Sequence, residues 1–279
     1  MNNLDQPIDH KEVASQGARV SNVAKDDFGL DIPTELVPLP SKGIIYPESS
    51  SLHKRETLEI RPMTAKEEDI LMSRALIKNG TVITRLIESC LIDKTVDVES
   101  LVSGDRNALM VALRITGYGS EYNIEMPCPE CGVTTKASFN LGDMPIKNLE
   151  VMPTEIGSNA FEILLPITKK NVIVKFLDGH DEREMTIIAD RRKKSGLKMH
   201  TTVTDRLARS IISVDGITDK NKIGFFVKNI PVRESLALRL FVEKQEPGVE
   251  MTGHMTCDAC YEESEVEIPI TSQFFWPDS

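Results

Sequence analysis

The chain has 279 residues, 40% of them hydrophobic and 27% charged, with a formal net charge of -10. That length supports one large or two ordinary domains with a core that needs no disulfide staples, and no apolar run approaches the roughly 20 residues needed to cross a bilayer. The excess of acid argues against extensive binding to a nucleic-acid backbone, which demands a surplus of Lys and Arg on at least one face.

Residues 1–32 are polar and aperiodic, the composition of a disordered N-terminal arm. The first twenty lack the basic start and apolar stretch of a secretory signal, which fits a protein kept in a reducing cytoplasm, where close cysteine pairs favour metal over disulfide. From Ile32 to Pro47 the prolines disfavour both helix and a central strand, so an extended arm ending in a turn at Ser41-Lys42-Gly43 is the natural reading. Leu58–Arg61 is strand-like, and Thr64-Ala65-Lys66-Glu67 has the form of a capping box that starts a helix. Two amphipathic stripes follow, Val82, Leu86, Cys90 and Leu91, then Leu109, Ala112 and Leu113. Cys90 lies on the apolar face and reads as a buried, inert thiol.

The stretch EMPCPECGV then places Cys128 and Cys131 two residues apart between EYNIEM and TTKASFNL, whose alternation predicts a hairpin with the cysteines at its tip. Half a tetrahedral metal site is present there. The other half is Cys257-Asp258-Ala259-Cys260, with 125 residues between the pairs, flanked by VEMTGHM and SEVEIPI, again a predicted hairpin. Two such knuckles supply the four thiolates of a structural zinc ribbon: Cys128, Cys131, Cys257 and Cys260, one Zn2+ per chain. Two unrelated CxxC pairs, one a redox dithiol, are the alternative, but neither pair follows a βαβ context. Four thiolates leave no open position for a catalytic water.

The segments before the two pairs also correspond. Thr81–Ser89 matches Thr202–Ser210 at an offset of 121, Arg106–Leu109 matches Arg233–Leu236 at 127, and the cysteines match at 129. Leu58–Arg61 corresponds to Val172–Lys175, and Asp178 with Asp181 takes the place of the first capping box. These matches predict an internal duplication, each unit running strand, helix, helix, helix, hairpin. The fold class is α+β: two duplicated helical units, each with a CxxC β-hairpin, the hairpins joining in a zinc-ribbon-like site of four cysteines. The boundaries are 1–32 for the arm, 33–150 for the first unit and 151–279 for the second.

In the second unit the stripe Leu236, Leu238, Leu240 and Phe241 is less cleanly spaced. The basic run Arg191–Lys198 reads as a solvated helix end or loop, with docking of an acidic partner or a nucleic acid as the alternative. His254, three residues before Cys257, reads as a solvated strand residue in preference to a metal ligand or a bond to the cluster. The C-terminal Phe274, Phe275 and Trp276 either seal the last hairpin against the helices or anchor another protein. No catalytic constellation and no phosphate-cradling glycine loop is present, so neither catalytic nor cofactor-binding residues are assigned and the chain does not read as an enzyme.

The succession LPSKGIIYP, LEIRPMTAKEEDIL, NGTVITRLIESC, DRNALMVALRITGYGSEY and CPECG, over about residues 38–145, resembles the T4-type bacteriophage baseplate hub family. The second half departs from that string, keeping only the helix pattern and the CxxC. The resemblance implies a baseplate hub component or an assembly chaperone for the hub or the tape-measure protein, acting in the host cytoplasm or residing in the virion tail. Its partners would be phage tail proteins, with no membrane. A zinc-ribbon regulator that binds nucleic acid is the alternative reading, motivated by CPECG and RRKKSGLK.

Overall fold

The computed structural model describes residues 20–25, 31–195, 202–270 and 272–276. The arm read as disordered falls largely outside them; its described portions are strands, Val20–Lys25 forming β1 and residues 31 and 32 opening the strand that follows. β1 pairs antiparallel with β2 (Asp31–Pro38), which pairs in turn with β3 (Thr57–Ile60). The proline-bearing segment is therefore the middle strand of a three-stranded sheet, against the expectation that its prolines exclude that place. Stagger explains it. Pro33 lies where β2 faces β1 alone and Pro38 where it faces β3 alone, so neither proline sits between two neighbours that both require its missing N–H.

The turn after β2 forms where the sequence places it. Lys42 and Gly43 both have positive φ, 51° and 70°, and a side chain on Gly43 would start 2.3 Å from the Arg55 amide nitrogen, so the motif requires glycine there. The turn is held by the wholly buried Asp105. Its carboxylate accepts the Ser41 N–H (2.9 Å), the Ser41 hydroxyl (2.5 Å) and the Tyr46 hydroxyl (2.6 Å), while the Tyr46 oxygen accepts the Val102 N–H (3.1 Å). Burial pushes the Asp105 carboxyl above its ordinary value, and these donors pull it back. LPSKGIIYP is thus a buried anchor on the body.

Helices α1 (Ala65–Met72), α2 (Arg74–Lys78), α3 (Val82–Cys90) and α4 (Ser103–Tyr118) follow. Leu86, Cys90, Leu91, Leu109 and Leu113 are buried, as their stripes predict, and burial pushes the Cys90 thiol up to about 12. The hairpin β4 (Glu121–Pro127) and β5 (Thr134–Asn140) comes next, then the short β6 (Ile146–Lys147). The second half opens with β7 (Phe161–Leu164) and β8 (Asn171–Val174), then α5 (Gly179–Lys194), α6 (Thr202–Ser210), β9 (Ile211–Val214), α7 (Lys220–Asn229) and α8 (Val232–Gln245). It ends in β10 (Gly248–Val249), which pairs with β6 across the halves, and the hairpin β11 (Thr252–Thr256) and β12 (Glu263–Glu267).

Both halves are richer than strand, helix, helix, helix, hairpin: the first has four helices and a sheet in which β1 and β2 extend β3, and in the second β7 and β9 flank β8 while α7, packed on β9, makes a fourth helix. The α8 stripe of the second half also differs from expectation: Leu238 is buried, whereas Leu236 and Leu240 face solvent, because the packed face follows the 3.6-residue turn and admits one of the three. Of the basic run, Arg191–Lys194 forms the last turn of α5, with Arg192 hydrogen-bonded to Asp205 at 3.1 Å; residues 196–198 lie outside the described ones. No helix among the described residues is long and apolar enough to cross a membrane.

Segments matched in the sequence adopt corresponding local structures. Arg61 follows β3 and Lys175 follows β8; the N–H of each donates to the carbonyl of the last residue of a later helix, Cys90 in α3 (2.9 Å) and Ser210 in α6 (2.7 Å). Arg61 pairs with the buried Glu67 at 2.7 Å, and Lys175 pairs with the buried Asp181. Each acid lies three residues after a helix cap and bonds back to it, Glu67 from the Thr64 N–H (2.8 Å) and Asp181 from the Asp178 N–H (3.4 Å).

Candidate metal centre

Each cysteine pair occupies a hairpin tip because strand pairing stops just before it. The β4–β5 register runs from Glu121 opposite Asn140 to Pro127 opposite Thr134, and β11–β12 runs from Thr252 opposite Glu267 to Thr256 opposite Glu263. The tips then close with the same bonds. Cys128 N–H donates to the Val133 carbonyl (2.9 Å) and Gly132 N–H to the Cys128 carbonyl (2.9 Å); Cys257 N–H donates to the Glu262 carbonyl (3.0 Å) and Tyr261 N–H to the Cys257 carbonyl (2.9 Å).

The residue after each second cysteine has positive φ, +72° at Gly132 and +59° at Tyr261. Glycine suits the first tip, whereas a tyrosine held there carries a cost of about 1–3 kcal/mol. The Tyr261 side chain is 80% exposed and offers little packing in return. Replacing Tyr261 with glycine is expected to stabilise the protein by about 1 kcal/mol in thermal melts; a lower melting temperature would mean that the ring supports the knuckle.

The two tips meet. Cys128 Sγ lies 3.8 Å from Cys260 Sγ and Cys131 Sγ lies 3.6 Å from Cys257 Sγ, and all four sulfurs fall within 4.8 Å of one another. A regular tetrahedron with metal–sulfur bonds of about 2.3 Å has edges of about 3.8 Å, so the donor set fits a zinc-sized cation. These separations are far beyond the roughly 2.05 Å of a disulfide, and all the cysteines are free. Cys128 and Cys257 are buried, while Cys131 and Cys260 sit at the exposed side.

Thr135 on β5 adds a joint that sequence reading missed. Its hydroxyl donates to the Asp258 carboxylate (3.0 Å) and accepts the Asp258 N–H (3.3 Å), latching the first hairpin to the second knuckle. The only sequence signal was a threonine on the inward face of a strand whose other inward residues, Ala137 and Phe139, are apolar.

Charge around the sulfurs is uneven. Backbone N–H groups, those of Cys260 and then Ala259, lower the Cys257 thiol to about 7. At Cys260 the Glu262 backbone favours the thiolate, but local desolvation beside the cluster and the neighbouring sulfurs outweigh it and push the thiol up to about 12. Four thiolates this close repel one another; a cation among them reverses that balance, so metal binding and proton release are linked.

His254 sits exposed on β11 opposite Glu265, outside the sulfur cluster. Phe274 and Phe275 are fully buried, as a sealing role predicts, but against the first half. Phe274 packs edge-on to Tyr122 of β4 with centroids 5.2 Å apart, and its carbonyl accepts the Arg114 Nε–H from α4 at 2.9 Å. The end of the chain is thereby tied to the first hairpin and its preceding helix.

A protein-family model described as T4 bacteriophage base plate protein matches residues 40–276. The chain belongs to this family. The family match covers both halves, well beyond the residues 38–145 that carry the motif resemblance, and so takes in both knuckles of the sulfur cluster. No curated protein and no solved structure matches the chain. Family membership makes this a phage baseplate protein whose interactions are with other tail proteins, and four close cysteines give it a site that could hold a metal ion.

Proposed function

We propose that this baseplate protein is a non-enzymatic component or assembly factor of the baseplate hub, with Cys128, Cys131, Cys257 and Cys260 as the ligands of one structural Zn2+. The observation that carries the reading is the match to the baseplate family over both halves, whose cysteine pairs converge within one coordination sphere. The cation would supply a cross-link between segments more than a hundred residues apart. The protein's own contribution is to set the sulfurs: the hairpin tips fix their spacing, and the Thr135–Asp258 latch holds one tip against the other.

The halves are read as copies of one ancestral unit, supported by the matched ion pairs, caps and strand-end hydrogen bonds. Direct partners are the hub or tape-measure protein, met in the host cytoplasm during assembly. The nucleic-acid reading gains little, since Arg192 in its basic run is engaged by Asp205.

Quantitative mass spectrometry of purified virions and of tail-assembly intermediates tests the assignment. The protein is expected in at least one of the two, and a deletion phage is expected to accumulate incomplete tails. Absence from both fractions, with normal tails in the deletion phage, would end the hub reading.

A further inference from the structure

A cleft of about 850 Å³ opens between the two halves, away from the sulfurs. α4 of the first half forms one wall, and α6, the end of α8 and β10 of the second half form the other. Glu246, which caps the C-terminus of α8, lines both this cleft and an adjoining cavity of about 340 Å³. The residue is half-buried as a whole, but its Oε1 is closed off from solvent and has no hydrogen-bond partner. It is the single buried side-chain oxygen or nitrogen among the described residues left in that condition.

Leaving a buried carboxylate oxygen unpaired costs more than the usual neutral group, so its persistence calls for a partner that the chain alone does not provide. Two of the three cations lining the cleft are committed elsewhere, and the third, the exposed Arg206, acts on Glu246 only through space. Lys147 Nζ donates to the Glu243 carbonyl at 2.6 Å, and Arg106 faces Glu182 at 3.5 Å. Glu243, Glu250 and Glu267 also line the cleft, so its acids exceed its bases. Apolar side chains, among them Met110, Val249 and Ile270, complete the lining. A cationic head on an aliphatic stem fits this combination of an unpaired carboxylate and greasy walls.

We propose that the cleft receives a lysine or arginine side chain of another tail protein, with the Glu246 carboxylate as the group that takes the cation. The identity of the donor protein rests on the baseplate reading above, whereas the cation site does not. Burial now holds the Glu246 carboxyl up at about 7; Arg206 and Lys147 draw it down and Glu182 opposes them. Cation binding to the ionised form must lower that value, because proton and cation compete for one carboxylate.

The test uses the full metal-loaded chain with ¹³C-labelled glutamate. The Glu246 carboxyl resonance is followed through a pH titration, with methylguanidinium or methylammonium chloride as probe and sodium chloride at equal ionic strength as control. The site predicts a midpoint near 7 in the control, falling by about one pH unit with probe, equivalent to about tenfold tighter binding of the cation to the ionised form. Glu246→Gln should abolish the response of neighbouring amides to the probe while keeping the fold and metal content. A midpoint indifferent to the organic cations, or amide responses that persist in Glu246→Gln, would overturn the cation site. In a second arm, zero-length carbodiimide coupling of isolated tail intermediates, followed by peptide mapping, should join a cleft glutamate to a lysine of another tail protein or show the cleft protected by an arginine-bearing peptide. An accessible, uncoupled cleft, or one filled by a small polyamine, would overturn the partner assignment even where the cation site stands.

Discussion

Cys131→Ser is expected to strip the metal from the protein and to loosen both halves together. The substitution leaves three sulfurs of a set that spans β4–β5 and β11–β12, so neither hairpin tip retains a closed site. Structural zinc is worth about 10–16 kcal/mol in small zinc-finger peptides. That is an upper guide here, since this chain also has a hydrophobic core reaching through both halves. A loss of even a third of it would rival the roughly 5–15 kcal/mol net stability of a typical domain. Hydrogen exchange should therefore quicken at the Thr135–Asp258 latch and in both hairpins, with the melting temperature falling well below that of the parent. Full metal content and an unchanged melt in Cys131→Ser would rule out the shared site. Cys90→Ser is the matched control: its thiol is buried in the α3 packing and stands outside the sulfur quartet, so metal content should not change.

Glu67→Ala is the second substitution with a large expected effect. The Glu67 side chain is buried and accepts from Arg61 (2.7 Å), Ser89 (2.5 Å) and Thr64 (2.6 Å), joining β3, α1 and the end of α3. Burial by itself would raise its carboxyl, but the Arg61, Ser89 and Thr64 hydrogen bonds win and hold it well below the usual 4.5. Truncation strands the Arg61 guanidinium and two hydroxyls, a loss of about 3–5 kcal/mol by analogy with broken buried pairs. The pH dependence has a definite sign. With the folded-state value below the unfolded one, the contribution is complete above about pH 4.5 and is lost as pH falls further toward the folded value. Urea unfolding of parent and Glu67→Ala at pH 7 and near pH 3 should show the gap narrowing at the lower pH. A gap of equal size at both would mean that the carboxylate's charge is not what matters.

The parts of this molecule that sequence made legible are those in which a residue's role is set by its immediate neighbours. CxxC spacing, the alternation of EYNIEM and TTKASFNL, and the Thr64–Glu67 and Asp178–Asp181 caps are local patterns, and each appears as local geometry. Even the long-range pairing of the two tips was readable, because a half-complete coordination sphere points to its other half.

What stayed hidden depends on non-local packing. Nothing near Pro33 and Pro38 indicates a strand staggered enough to spare both prolines. The α8 leucines read as one stripe until the helix is docked and only Leu238 turns inward. Ser41 and Tyr46 look like turn chemistry in the sequence, and only the fold brings Asp105, some sixty residues away, against both. The Glu246 cleft is similar, since its walls come from α4, α6, α8 and β10 and no short stretch contains it.

X-ray absorption at the zinc edge of the full-length protein, paired with elemental analysis, tests the central claim most directly. One zinc per chain with a first shell of four sulfurs at about 2.3 Å is the predicted result. A metal-free protein with four reactive thiols, or a shell dominated by nitrogen and oxygen, would contradict the claim that the two distant knuckles grip a single ion.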